Sequence, residues 1–243
     1  MELVRDRWTR ADYGQFCVWL AKQSEEKYAA FHCKLVPGLD RMLGIRMPML
    51  RRIGKEIAKG DWRSFLKQSK DDVYEQVLLQ GIIISGIALP FVEFAPLMDL
   101  YVDKIDNWAL CDSFCAGMKQ AKSSRTELFG YVKKYLGSKN PWHVRTGLVI
   151  MLDHYLDEEY LPRVLARCDK VKSEHYYVRM AQAWLVSIAY TKDKDRTMQY
   201  LRDCTLDDWT FNKVIQKARE SYCVAAQEKE ILCGMMRKKA IGG

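Results

Sequence analysis

The sequence lacks the motifs on which several common chemistries depend. It has no Gly-rich phosphate-binding loop and no convincing pair of catalytic carboxylates, and no histidine follows the close pair Cys111 and Cys115 at zinc-finger spacing. The sequence therefore lacks the residues that phosphoryl transfer, hydrolysis of an uncharged nucleoside and zinc chemistry usually require. We expect a protein that uses no metal and no cofactor.

Long apolar runs are also missing. The longest, residues 82–89, is too short to span a bilayer and ends at Pro90. Nothing near the first residue resembles a secretory signal. Eight cysteines are a modest share of 243 residues, and we expect Cys17, Cys168 and Cys223 to be reduced thiols on apolar helix faces. These features favour a soluble cytoplasmic protein.

Apolar residues and positive charge are both plentiful. Hydrophobic residues make up 49% of the chain, which is enough for a sizeable core, and the formal net charge is +8. Nucleic acid is the polyanion that such a balance fits best. The terminal triplet Arg237-Lys238-Lys239 is interpreted only as a solvated surface run.

The apolar pattern predicts helices throughout. Almost every segment repeats its apolar residues every three to four positions, whereas strand-like alternation is scarce. Pro48, Pro90, Pro141 and Pro162 stand where helices or connections are expected to begin. Because the polar breaks between segments are short, we predict one all-α domain over residues 1–243.

Aromatic residues mark a weak repeat at the expected helix starts. The pairs are separated by 34, 35 and 32 residues and are Asn107-Trp108, Pro141-Trp142, Tyr176-Tyr177 and Asp208-Trp209. Such spacing is typical of stacked helix pairs, and without a tetratricopeptide consensus it predicts a curved superhelical solenoid of ARM/HEAT-like repeats. Asp61-Trp62 follows the pattern only loosely. We expect Trp62, Trp142 and Trp209 to wedge neighbouring helix pairs together.

Trp108 and Asp112 are the most informative pair in the chain. They lie four residues apart in a predicted helix, so their side chains share one face. An exposed aromatic ring beside a carboxylate suits a sugar or base that carries positive charge. Trp184 lies two turns beyond Tyr177 in a later repeat, and we expect it to project from the same wall of the solenoid.

Basic residues follow the same repeats. Arg145 comes one turn after Trp142, and Lys213 and Lys217 follow Trp209 on a common helix face. Because these three residues belong to successive repeat helices, we predict that they follow a phosphate backbone. A further basic cluster, Lys119, Lys122 and Arg125, comes just after the Trp108 helix.

Five sequence blocks resemble, in order and over nearly the whole chain, the HEAT-like DNA alkylation repair proteins of the AlkD group. This family includes bacterial glycosylases for alkylated purines. The blocks are Leu43-Gly44-Ile45-Arg46-Met47-Pro48-Met49-Leu50-Arg51, Asn107-Trp108-Ala109-Leu110-Cys111-Asp112, Trp142-His143-Val144-Arg145, Ala183-Trp184 and Asn212-Lys213-Val214-Ile215-Gln216-Lys217.

The resemblance implies roles for individual residues. It places Trp108, Asp112 and Trp184 around a damaged nucleotide and Arg145 on the nearby DNA backbone. The implied partner is duplex DNA, alkylated and bound by a monomer in the bacterial cytoplasm, where the protein joins the nucleoid when it binds. One position departs from the pattern, because Ser187 stands where catalytic members commonly have an arginine.

Three functions remain open on the sequence. The first is a DNA glycosylase for N3- or N7-alkylated purines, in which Asp112 stabilises an oxocarbenium-like sugar. The second is a non-catalytic binder of bent or branched DNA, which the departure at Ser187 favours. The third and least favoured is a protein-binding HEAT scaffold, because such a groove has no particular use for Asp112 beside Trp108.

Overall fold

The structure is entirely helical over the residues that it describes. The computed structural model describes residues 1–237, and in that range it contains fifteen α-helices and no strand. This confirms the all-α prediction. None of the helices in that range has the length and apolarity that crossing a bilayer requires.

The chain divides into two compact units. Unit 1 is Met1–Leu128 and unit 2 is Phe129–Gly243. Unit 1 contains α1 (Arg10–Ala21), α2 (Glu26–Leu35), α3 (Met47–Ile57), α4 (Trp62–Gln68), α5 (Tyr74–Gly86), α6 (Phe91–Val102), α7 (Trp108–Ala116) and α8 (Gln120–Ser123). Unit 2 contains α10 (Pro141–His154), α11 (Leu161–Lys170), α12 (Tyr176–Lys192), α13 (Lys194–Asp203), α14 (Asp208–Glu220) and α15 (Ala226–Gly234). The division falls inside α9 (Arg125–Leu136), and the expectation of one domain stays a prediction.

Helices begin where the sequence predicts. Pro48 is the second residue of α3, Pro90 precedes the first residue of α6, and Pro141 is the first residue of α10. Proline suits these places because the first backbone N–H groups of a helix have no partner within it. The four aromatic pairs likewise start α7, α10, α12 and α14.

Alternate helices of each unit form one layer. In unit 1, α5 packs between α3 and α7, and in unit 2, α12 packs between α10 and α14. The helices α11 and α13 pack against each other and against α12. This alternation is the helical-repeat pattern that the aromatic spacing predicts. Trp62 breaks the spacing because it begins α4, which packs against α1 and lies outside the layer of α3, α5 and α7.

A buried carboxylate holds the segment that leads into α3. Glu75 is fully buried, and its side chain accepts hydrogen bonds from the backbone N–H groups of Leu43 (2.9 Å), Gly44 (2.7 Å) and Ile45 (3.1 Å). Gly44 has a φ of +85°, and a Cβ there would lie 2.3 Å from the backbone oxygen of Glu25. Only glycine fits both conditions.

We predict that Glu75→Ala destabilises the fold. Three backbone N–H groups would lose their acceptor, and we expect the free energy of unfolding to fall by about 3 kcal/mol. Urea unfolding followed by circular dichroism measures this change. The exposed Glu2→Ala, also in unit 1, is the control and should change stability by less than about 0.5 kcal/mol; equal midpoints for the two variants would contradict the role of Glu75.

Candidate functional site

The start of α7 is set by the side chain of Asn107. Its Oδ1 accepts hydrogen bonds from the backbone N–H groups of Ala109 and Leu110, both at 3.0 Å. Asn107 is 6% exposed and its backbone is extended, as is usual for a residue that caps a helix. Trp108 is therefore the first residue of the helix, and Asp112 follows one turn later.

One side of α7 is buried and the other is not. The buried residues are Ala109, Leu110, Cys111, Phe114 and Cys115. The residues of this helix that are not buried are Trp108, Asp112, Ser113 and Ala116, which we call the α7 stripe. This confirms that Trp108 and Asp112 share a face.

Trp108 is half-buried and held in place by a hydrogen bond. Its indole Nε1–H donates to the backbone oxygen of Leu35 at the end of α2, with a nitrogen-to-oxygen distance of 3.3 Å. The ring is thereby fixed at its polar edge, while part of its surface stays accessible. A fixed, accessible aromatic face is what binding a cationic base requires.

A wide groove adjoins the α7 stripe within unit 1. It has a volume of about 920 Å³, and residues of α3, α5 and α7 line it, together with Trp62 and the turns that follow these helices. The groove shares Ser113 and Ala116 with the stripe. Its charged lining residues are all cations, namely Arg51, Lys55, Lys59 and Lys119.

Trp184 lies in a row of uncharged residues on α12 in unit 2. Tyr177, Met180, Trp184 and Ile188 are all half-buried and recur at helical spacing. Ser187 is only 4% exposed, and its hydroxyl donates to the backbone oxygen of Trp184 at 2.8 Å. Position 187, where the resemblance implies an arginine in catalytic members, is therefore occupied by a buried serine.

Arg145 is engaged within unit 2. It is 5% exposed, and its Nη1 donates to the backbone oxygen of Tyr177 at 2.9 Å. This bond joins α10 to the first residue of the Trp184 row. Binding of a DNA phosphate by Arg145 stays a prediction, and little of the side chain is accessible for it.

Lys213 and Lys217 are half-buried one turn apart on α14. The ammonium group of Lys213 lies 2.6 Å from Oε1 of Gln216 and 5.6 Å from the ring centre of Trp209. The three residues Trp209, Lys213 and Lys217 thus follow one line of the helix, as the spacing predicts. Their binding to phosphate stays a prediction.

The repeated tryptophans of unit 2 contact aromatic rings on the next repeat helix. The ring of Trp142 on α10 packs 5.1 Å from that of Tyr177 on α12, and the ring of Trp209 on α14 packs 5.8 Å from that of Tyr176. Both contacts join one repeat helix to the next. The wedge prediction is confirmed for the half-buried Trp142, whereas Trp209 and Tyr176 are exposed and meet at the surface. Trp62 is 8% exposed and lines the groove of unit 1.

Two expectations about single residues were wrong. The first concerns Cys223, which is exposed and lies in a turn between α14 and α15, not on an apolar helix face. Cys168, in contrast, is fully buried, and Cys17 is half-buried. Arg237 is not merely solvated, because its guanidinium donates to the backbone oxygens of Cys204 and Leu206. The rest of the terminal triplet, Lys238 and Lys239, lies outside the described residues.

A family model for DNA alkylation repair enzymes matches residues 20–229. The chain belongs to the DNA alkylation repair enzyme family. This match confirms the resemblance that the five sequence blocks carry, and it indicates a role in the repair of alkylated DNA. No curated protein matches the chain significantly. Among residues 1–237, no group of three or more His, Cys, Asp or Glu side chains is placed to hold a metal ion.

The cationic groove is the feature that sequence reasoning missed. The sequence shows Arg51, Arg52 and Lys55 as one polar side of α3, whereas in the structure only Arg51 and Lys55 line the groove. Lys119 belongs to the basic cluster noted after α7, but nothing in the sequence brings it to α3. The juxtaposition depends on the packing of α5 between α3 and α7.

We predict that Asn107→Ala loosens the start of α7. Losing the cap should cost about 1 kcal/mol, and exchange of the amide hydrogens of Ala109 and Leu110 should quicken on the order of tenfold. Hydrogen exchange followed by NMR or mass spectrometry measures the effect. Asn140→Ala, which removes the corresponding cap of α10, is the control and should leave α7 unchanged; unaltered exchange in Asn107→Ala would contradict the role of this cap.

Proposed function

We propose that the protein is a DNA glycosylase that hydrolyses the N-glycosidic bond of cationic N3- or N7-alkylated purines in duplex DNA. The observation that carries the proposal is the α7 stripe, in which Trp108 and Asp112 lie one turn apart on the accessible face of one helix. Membership of the DNA alkylation repair enzyme family supports it.

The chemistry needs one well-placed carboxylate. A purine alkylated at N3 or N7 carries positive charge, so it leaves as a neutral base with the electron pair of the broken bond and needs no proton from a general acid. Positive charge then develops on the sugar at C1′. Asp112 is proposed to stabilise that charge electrostatically and to orient the water whose oxygen bonds to C1′, while the proton of the water passes to solvent.

Trp108 is proposed to bind the cationic nucleotide through its ring face. Such a contact contributes on the order of 0.5–2 kcal/mol to the binding free energy, and the contribution is larger when the cation is desolvated. The hydrogen bond to the Leu35 oxygen supports this role because it orients the ring before DNA arrives. Because the ring is already oriented, DNA binding costs less side-chain conformational entropy.

Unit 2 is proposed to contribute binding residues. Trp184 offers a second aromatic face, and Lys213 and Lys217 offer two cations at helical spacing for phosphates. Arg145 is proposed to act on the backbone as well, although its bond to the Tyr177 oxygen already occupies one of its donors.

A second candidate function is DNA binding without excision. The uncharged row of α12 and the buried Ser187 favour it, because a catalytic member commonly has a cation there to hold the backbone. Such a protein would bind DNA with an affinity that falls steeply with salt. It would bind alkylated and undamaged duplexes equally and would release no base.

The experiment is a single-turnover assay on a duplex that contains one N7-methylguanine. We expect the unmodified protein to release the base, and Asp112→Asn to lower the rate on the order of 100-fold because the fixed negative charge is lost. The exposed Asp203→Asn on α13 removes the same charge elsewhere and should leave the rate unchanged.

Binding of the same duplex, measured by fluorescence anisotropy, separates the two candidate functions. Tight binding without base release would exclude the glycosylase and favour the non-catalytic binder. If Asp112→Asn released the base at the rate of the unmodified protein, Asp112 would have no role in the reaction.

A further inference from the structure

We propose that the groove of unit 1 is a binding track for the phosphodiester backbone of duplex DNA, formed by Arg51, Lys55 and Lys119, which acts whether or not a lesion is present. The proposal deepens the proposed function and rests on it only for the choice of DNA as partner. It concerns binding, so it is tested apart from base release.

The shape of the groove follows from two close helix contacts. A Cβ at Gly54 on α3 would lie 2.6 Å from Cγ2 of Ile82 on α5, and a Cβ at Gly117 after α7 would lie 2.6 Å from Oγ of Ser85. Glycine at both places lets α3, α5 and the end of α7 approach closely. The surface between the basic side chains is formed by small residues together with apolar side chains such as those of Ile82 and Leu89.

The cations stand on two sides of this floor. Arg51 and Lys55 are exposed and lie one turn apart on α3. Lys119 follows α7, and its backbone N–H donates to the backbone oxygen of Ser85 at 2.9 Å, which fixes its place beside the end of α5. Lys59 also lines the groove, but its ammonium group lies 2.7 Å from both carboxylate oxygens of Glu56. We therefore assign the track to the other three.

The charge of the groove selects an anionic partner. Among its lining residues there is no aspartate or glutamate. The half-buried Ser113 also lines the groove, and its hydroxyl group can donate a hydrogen bond to a phosphate oxygen between the cations. A row of anions along an open groove, as in a nucleic-acid strand, matches this arrangement better than a single small anion does.

Continuity with the α7 stripe indicates which strand lies here. Asp112 and Ala116 are one turn apart on α7, and Ala116 lines the groove. A DNA strand that brings a nucleotide to Asp112 therefore continues over Ala116 into the groove. Its flanking phosphates meet Arg51, Lys55 and Lys119.

A structural role for these cations is the alternative that the test must separate. The helices α3, α5 and α7 all end beside the groove, at Ile57, Gly86 and Ala116, and cations stabilise helix carboxyl ends. That role would change stability. It would not change how DNA binding depends on salt.

The test is binding of an undamaged 20-base-pair duplex by the full chain over a range of salt concentrations. We expect the triple variant Arg51→Gln, Lys55→Gln, Lys119→Gln to bind at least about tenfold more weakly, with a slope of log K against log salt that is shallower by about 2.7, since each of the three phosphate contacts contributes about 0.9. The control triple Lys27→Gln, Arg52→Gln, Lys67→Gln removes three exposed charges of unit 1 outside the groove. It should weaken binding less than about threefold.

Several outcomes would overturn the proposal. Equal losses in the two triple variants would show only an effect of net charge, and a lowered unfolding midpoint with an unchanged salt slope would show a structural role. Binding of a polyglutamate peptide that the groove triple abolishes, with DNA binding intact, would assign the groove to an acidic protein segment. The test measures binding of undamaged DNA and not base release, so absence of glycosylase activity leaves it unaffected.

Discussion

The cap that Asn107 provides for α7 is the constraint on which the candidate site depends. By accepting hydrogen bonds from two N–H groups of the first turn, its side chain makes Trp108 the first helical residue. The buried side chains of Leu110, Phe114 and Cys115 determine which face of the helix points outward. The cap and this burial together place Asp112 one turn after Trp108 on the accessible side.

Unit 1 has a charge pattern that matches alkylated DNA. Such DNA is a polyanion that carries a positive charge only where a purine is alkylated. The groove presents cations alone, whereas the adjoining α7 stripe presents one carboxylate beside an aromatic ring. The cationic groove is therefore complementary to the phosphates, and the carboxylate beside it is complementary to the positively charged lesion. This carboxylate can aid departure of the base without a second acidic group.

The sequence was sufficient for features that depend on a single helix. The shared face of Trp108 and Asp112 follows from helical spacing and a capping residue, both of which are local. Features that depend on contacts between two helices could not be predicted from the sequence. Spacing alone could not separate Arg51, which lines the groove, from Arg52, which does not, nor show that Arg145 is buried against a backbone oxygen of α12. Those distinctions arise from packing between segments far apart in sequence.

The most direct measurement compares release of two bases from otherwise identical duplexes, one with cationic N7-methylguanine and the other with neutral hypoxanthine. The proposed site has a carboxylate to stabilise the sugar cation but no general acid for a neutral leaving group. Release of N7-methylguanine alone is the predicted result. Release of hypoxanthine at a comparable rate, or of neither base, would contradict the central claim that Asp112 and Trp108 act on a base that is already charged.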